Sequence, residues 1–424
     1  MKMMKKNICK LLLIILVMSE VRAEDVGLMR VDREHFIPFY GNGFNAYWLM
    51  YVVTDLSQRS KISSAFEEAS NHSLVIARTW AFRDGGDSPL QSSPGIFNGA
   101  LDYVISEAGK HNIKLILSLV DNYNYTGGKQ QYVQWARNDG QNIISDDDFL
   151  TNSVVKGYYK NRIKAILTRK NSISGIAYKD DPTIMAWELM NEPRCPTDPS
   201  GNNIQAWIEE MASYLKSIDS KHLLEAGLEG FYHHNKKNPH FEVGTYFLRN
   251  NQIAEIDFAT VHSYPHQWLM GESDEEQFLF LDEWLSSHIK DVETKIQKPL
   301  LFAEFGKSSK DPGYRTSARD EVMAAVYGAI YSSARRGGAT AGGLVRENLG
   351  DGYGIVLSRS PSTATLIQGT VQEAQPGKAY VIYSEFNPTS TKPSSLLIGT
   401  SRTATNWNLD EHQPVFASLI EHKY

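Results

Sequence analysis

The chain has 424 residues, 43 basic against 49 acidic, and a formal net charge of −6. That sign weighs against a nucleic-acid binder, which needs clustered Lys and Arg on its phosphate-facing surface. With 42% hydrophobic and 22% charged residues, the composition is that of a globular protein with a large core and excludes a disordered or fibrous chain.

In chain order, Lys2, Lys5, Lys6 and Lys10 precede an apolar run from Leu11 to Met18, and Val21-Arg22-Ala23 follows with small residues. Residues 1–23 therefore read as a secretory signal peptide, with an uncleaved anchor as the alternative. The run falls short of the ~18 apolar residues that span a bilayer, and no later stretch reaches that length. Cleavage removes five bases and one acid, so 43 and 49 become 38 and 48 and the net charge becomes −10. It also removes Cys9, leaving Cys195 without an internal disulfide partner. Asn71 and Asn124 begin Asn-X-Ser/Thr sequons and are glycosylation candidates in a secreted chain. Such triplets are also frequent by chance.

From about residue 44 to 345, short apolar runs alternate with amphipathic stretches. Candidate strands are 44–48, 74–82, 114–121, 184–192, 223–230, 258–265, 299–306 and 338–345. Candidate helices are 57–69, 98–111, 149–167, 203–217, 275–296 and 317–336, each with apolar residues at three- and four-residue spacing. Near-continuous apolar strands alternating with helices imply a parallel sheet covered on both faces, and eight such units fit an α/β fold of the (β/α)8 TIM-barrel type. The barrel is expected over 24–367. Residues 368–424 turn rich in Ser, Thr, Pro and Gly, which predicts a largely disordered tail or two weak strands, at 379–383 and 395–398.

Active sites of such barrels lie at the C-terminal ends of the strands. Two candidate strands run into glutamate there: Met185-Ala186-Trp187-Glu188-Leu189-Met190 leads to Asn191-Glu192-Pro193, and Leu300-Leu301-Phe302-Ala303 leads to Glu304-Phe305-Gly306. One such carboxylate is readily explained by a salt bridge to a loop arginine; two together point to glycoside hydrolysis, which needs a proton donor and a nucleophile or base. His262 and Tyr264 alternate along one strand and share a face. Trp80 and Trp135 fall in the loops after strands two and three, and Trp268 follows strand six. Their rings are candidate sugar platforms, although any single tryptophan is more often core. No metal is implied: His233-His234 stands beside Lys236-Lys237 without a carboxylate at ligand spacing. No phosphate-type glycine loop is present, and no cofactor is implied.

Asn191-Glu192-Pro193 and Ala303-Glu304-Phe305-Gly306 resemble the signatures of clan A retaining glycosidases of family 5. Ala77-Arg78-Thr79-Trp80-Ala81-Phe82, Gln131–Arg137, Asp180–Cys195 and His262-Ser263-Tyr264-Pro265 resemble the plant endo-β-1,4-mannanases over about residues 40–367. The resemblance implies a secreted, cell-wall endo-mannanase acting on β-mannan, glucomannan or galactomannan, monomeric and free of any membrane once its signal is cleaved. It implies Glu192 as acid/base, with a raised pKa, and Glu304 as nucleophile. It further implies that Arg78 and Tyr264 hold the nucleophile, that Asn191 contacts the sugar 2-hydroxyl, and that His262 joins their hydrogen-bonded shell.

The sequence departs from that family at strand eight, where a Phe-Trp-Gln-type segment supplies the floor beneath the sugar. Here Ala341-Gly342-Gly343-Leu344 passes directly to Val345-Arg346-Glu347. The resemblance resumes at Asp351–Ser358, and residues 33–42 also look compressed. The deficit predicts a truncated strand eight, and it keeps open a carbohydrate-binding pseudoenzyme of the same fold. A β-1,4-glucanase is the third reading.

Overall fold

The computed structural model describes residues 29–32, 40–232, 242–346, 352–365, 367 and 381–384. Eight parallel strands form a nearly closed barrel: β1 Gly43–Asn45, β2 Ile76–Trp80, β3 Lys114–Ser118, β4 Ile184–Glu188, β5 Leu223–Glu225, β6 Ala259–Ser263, β7 Leu300–Phe305 and β8 Thr340–Arg346. Their spatial order is β5-β4-β3-β2-β1-β8-β7-β6. Between β5 and β6, two backbone bonds bring the open edges together, Asp257 N to Leu224 O at 2.8 Å and His262 N to Glu229 O at 2.9 Å. All eight strands predicted from the apolar runs are present.

Strand eight is not truncated. At seven residues β8 is the longest barrel strand, and Leu344, Val345 and Arg346 pair in register with Gly43, Phe44 and Asn45. The junction at Leu344 and Val345 is thus continuous strand, and closure against β1 is preserved.

The principal helices are α1 Arg59–Asn71, α2 Leu101–Lys110, α3 Gly128–Asn138, α4 Ser153–Thr168, α5 Asn202–Ile218, α6 Asp274–Asp291 and α7 Thr316–Arg335. Local chemistry fixes several starts. Asn152 accepts from the amides of Val154 and Val155 ahead of α4, and Ser273 with Glu276 closes a capping box on α6. α3 was not among the predicted helices. Its apolar residues Tyr132, Val133, Trp135 and Ala136 cluster on one face that is buried against the barrel, while the rest of the segment is polar.

Period-two alternation along the strands builds the interior in layers. Ile76, Ile116, Ala186 and Leu223 belong to one apolar cluster inside the barrel, with Leu301, Ala303, Ala341 and Leu344. Two residues further on, the same strand faces carry Arg78, Ser118, Glu188 and Glu225, all buried. A polar layer thus sits on an apolar one, at the C-terminal end. At the other end Met29 joins the apolar cluster, carried by the strand Met29–Asp32, which pairs antiparallel with Val381–Ser384.

Residues 1–23, 33–39, 233–241 and 347–351 lie outside the described residues, as does most of the 368–424 tail, so the signal peptide and the His233-His234 pair do too. Among the described residues no helix is long and apolar enough to cross a membrane.

Candidate active site

The two strand-end glutamates meet at the mouth of the barrel. One carboxylate oxygen from each of Glu192 and Glu304 and a ring nitrogen of His262 all lie within 4.8 Å of one another. Glu304 sits at a register shift in the β7–β6 ladder, between Phe302 and Glu304, the kind of irregularity that re-aims a side chain. Glu192 lies just past β4 at φ 51°, in the left-handed region that non-glycine residues seldom occupy, and its amide donates to Gly227 O at 2.9 Å. Gly227 permits that approach, because a Cβ there would stand 1.7 Å from Met190 O.

Arg78, fully buried, is the hub. Nη1 donates to Glu304 Oε1 at 2.6 Å and to Asn45 Oδ1 at 3.0 Å; Nε and Nη2 clasp Glu188 at 2.5 and 2.8 Å; Nη2 also reaches Asn191 Oδ1 at 2.8 Å. Asn191 in turn donates to Asp121 Oδ1 at 3.0 Å. Tyr264 Oη donates to Glu304 Oε2 at 2.8 Å, and His262 Nδ1 stands 2.6 Å from Glu192 Oε1. Arg78, Asn191, Tyr264 and Glu304 are therefore one hydrogen-bonded network, and the Glu192–His262 pair stands beside it, within 4.8 Å of Glu304.

Burial pushes the Glu304 carboxyl up, but His262, Arg78, Arg346 and the Tyr264 hydroxyl together overcome it and hold it at about 2. Glu192 departs from its expected raised pKa. Burial and the Glu304 charge lift it, yet the hydrogen bond and charge of His262 bring it below its ordinary value in the resting site. His262 moves the other way: burial lowers it, and the Glu304 and Glu192 carboxylates raise it above the usual histidine range. Within this pair the carboxyl is thus shifted down and the imidazole up.

Trp80 ends β2 with its ring stacked between Phe82 and Tyr47, at centroid distances of 5.5 and 6.3 Å, and the Arg78 guanidinium lies 4.8 Å from its centre. It borders the site as a strand residue, not a loop residue. Trp135 is also not in a loop: it lies on α3 and is buried in the core, edge-on to Tyr132 at 5.1 Å. Trp268, on the short turn of helix Pro265–Trp268, packs half-buried against Phe231 and Trp284, each at 5.0 Å. Asn71 and Asn124 are both exposed.

Sequence reasoning missed a ring of further charges. Glu225 approaches Glu188 beneath Arg78, and burial with that neighbour raises its carboxyl far above the usual range. Burial lifts Asp121 to about 7, and burial with the nearby Glu192 lifts Glu229 to about 7 although Arg194 clasps it at 2.5 and 2.7 Å. Arg346, at the end of β8, donates to Tyr264 Oη at 2.9 Å and lies 3.4 Å from Glu304 Oε2. The signal that could have found Glu225 is its place ending an apolar strand, as Glu188 ends β4.

A parallel eight-stranded barrel that gathers two carboxylates from the ends of β4 and β7 defines a glycosidase. The β-mannosidase-like family of glycoside hydrolase family 5 matches residues 84–346, and the chain belongs to glycoside hydrolase family 5. It is a hydrolase. It is 56% identical over 346 residues to mannan endo-1,4-beta-mannosidase 7 of Arabidopsis thaliana, covering 78% of this chain and 80% of that one. Mannan endo-1,4-beta-mannosidase 1 of Oryza sativa is 54% identical over 364 residues, with 80% and 84% covered. Among solved structures, the endo-beta-1,4-mannanase of Thermotoga petrophila superposes with a TM-score of 0.69 at 30% identity, over 80% of this chain and 77% of that one.

Proposed function

We propose that this protein is a secreted endo-mannanase that cuts internal β-1,4-mannosidic links in cell-wall mannan, glucomannan and galactomannan with retention of configuration. The observation that carries the reading is the 4.8 Å grouping of Glu192, His262 and Glu304. Carboxyl groups ~5–5.5 Å apart act by double displacement, whereas inverting pairs stand ~6.5–9.5 Å apart to admit a water. The names of the relatives supply the substrate.

In the first step the ionised Glu304 bonds to the anomeric carbon as the glycosidic C–O bond breaks, and the departing oxygen takes a proton from the Glu192–His262 pair. In the second, water attacks the same carbon, its proton returns to that pair, and the ester bond breaks to regenerate the Glu304 carboxylate. Arg78 and Tyr264 keep Glu304 charged and oriented between steps.

The test is incubation of the purified protein with galactomannan, glucomannan and a soluble cellulose. Mannan oligosaccharides appearing first from galactomannan and glucomannan support the reading. Preference for cellulose favours the glucanase, and binding without product favours the pseudoenzyme.

A further inference from the structure

The guanidinium of Arg346 enters the site among three aromatic rings, with its carbon 5.2 Å from the centre of Tyr353, 5.5 Å from Tyr47 and 5.9 Å from Tyr264. Its hydrogen bond to Tyr264 Oη and its 3.4 Å approach to Glu304 Oε2 put it on the carboxylate oxygen that Arg78 does not hold. Tyr353 is anchored in its turn by His266 Nε2, 2.5 Å from its hydroxyl. Aromatic faces hold a planar guanidinium in a fixed pose. This cation is therefore preorganised on the reacting carboxylate.

We propose that Arg346 is a second cation of the nucleophile, which favours the deglycosylation half of the reaction by stabilising Glu304 as it leaves the sugar. The proposal rests on the retaining mechanism above. When Glu304 bonds to the anomeric carbon its charge is lost, and a cation bound to the carboxylate favours the starting state. When water attacks and the ester bond breaks, the electron pair returns to Glu304, and the same cation stabilises the developing charge. Arg78 is shared among Glu188, Asn45 and Asn191 as well as Glu304. Arg346 bears on Tyr264 and Glu304, and it is 21% exposed where Arg78 is fully buried. The other titratable groups acting on Glu304 are Arg78 from β2, Asp121 after β3, Glu192 after β4, His262 from β6 and Tyr264 just after it.

Arg346→Met and Arg346→Lys, each checked for an unaltered far-UV spectrum, separate this role from a structural one. On an aryl β-mannoside with a dinitrophenolate leaving group, Arg346→Met is expected to show a burst of phenolate, with kcat and KM both falling roughly 10-fold as the glycosyl-enzyme accumulates. Arg346→Lys, which keeps the charge but not the planar fork, restores part of the loss. A carbon-13 titration of the Glu304 carboxyl, assigned with Glu304→Gln, should move up by about one pH unit in Arg346→Met. Equal loss of kcat/KM on aryl mannoside and galactomannan, no burst and an unmoved titration in an active parent overturn this proposal alone. A parent that hydrolyses no β-mannoside overturns the functional reading and the proposal with it.

Discussion

Two buried ionic networks in this barrel obey opposite rules. Asp102, on α2, receives Arg169 Nε and Nη2 at 2.8 and 2.6 Å, the Tyr178 hydroxyl at 2.5 Å, and both the amide and hydroxyl of Ser172. Burial works against its charge, but those donors outweigh it and hold its carboxyl below the usual range. The barrel mouth instead buries Glu188, Glu192, Glu225, Glu229, Glu304 and Asp121 around Arg78, Arg194, Arg346 and His262. Carboxylates outnumber cations there, six to four, and burial raises the carboxyls of Glu225, Asp121 and Glu229 above their usual range. A network with enough donors fixes a loop; one with too few holds protons that can move.

The largest expected effect separates the two directly. Glu304→Gln should cost about 10⁴-fold or more in kcat on galactomannan with little change in Tm, since Arg78 keeps Glu188, Asn45 and Asn191. Glu192→Ala should lose roughly 10²–10⁴-fold on polysaccharide but far less in the first step on an activated aryl mannoside; equal loss on both would reverse the assigned roles.

Asp102→Asn should do the reverse of Glu304→Gln. It breaks a buried pair and is expected to destabilise the fold by about 3 kcal/mol in denaturant melts while leaving the pH–rate profile in place. Because the folded carboxyl of Asp102 is depressed, its contribution is present above the unfolded value of ~3.9 and is lost as pH falls through the folded one. Mutant and parent should thus converge in strong acid.

The mouth predicts the opposite slope. Asp121 and Glu229 titrate near 7 when folded, so between about pH 4 and 7 the folded state binds more protons than the unfolded one, and stability falls as pH rises. Tm should be higher at pH 5 than at pH 7.5, and Asp121→Asn should flatten that slope. The smallest effect is expected at Trp135: Trp135→Phe should lower Tm modestly and leave KM for galactomannan unchanged, because its ring packs on Tyr132 within the core.

The same contrast marks what could be read in advance. All eight strands were legible because their apolar runs are local, but their ends were overdrawn. The run 184–192 stops as a strand at Glu188, and the chain then turns so that Glu192 takes a left-handed conformation beside Gly227. α3 was missed because its polar face dominates the segment, and the barrel supplies the partner for its four buried apolar side chains.

By itself the sequence determined the barrel and its two strand-end glutamates, since apolar runs alternating with amphipathic stretches and an apolar run broken by an acid are local patterns. It also identified Arg78, His262 and Tyr264, through motifs that resemble a family. Tertiary structure alone decided who touches whom. Arg78 and Glu304 are 226 residues apart in the chain, and Arg346 and Tyr264 are 82 apart. Strand eight looked like a deficit because only its missing aromatic could be seen. Parallel closure brings the ends of all its strands to one mouth, and there the strand's last residue, Arg346, comes to bear on Tyr264 and Glu304.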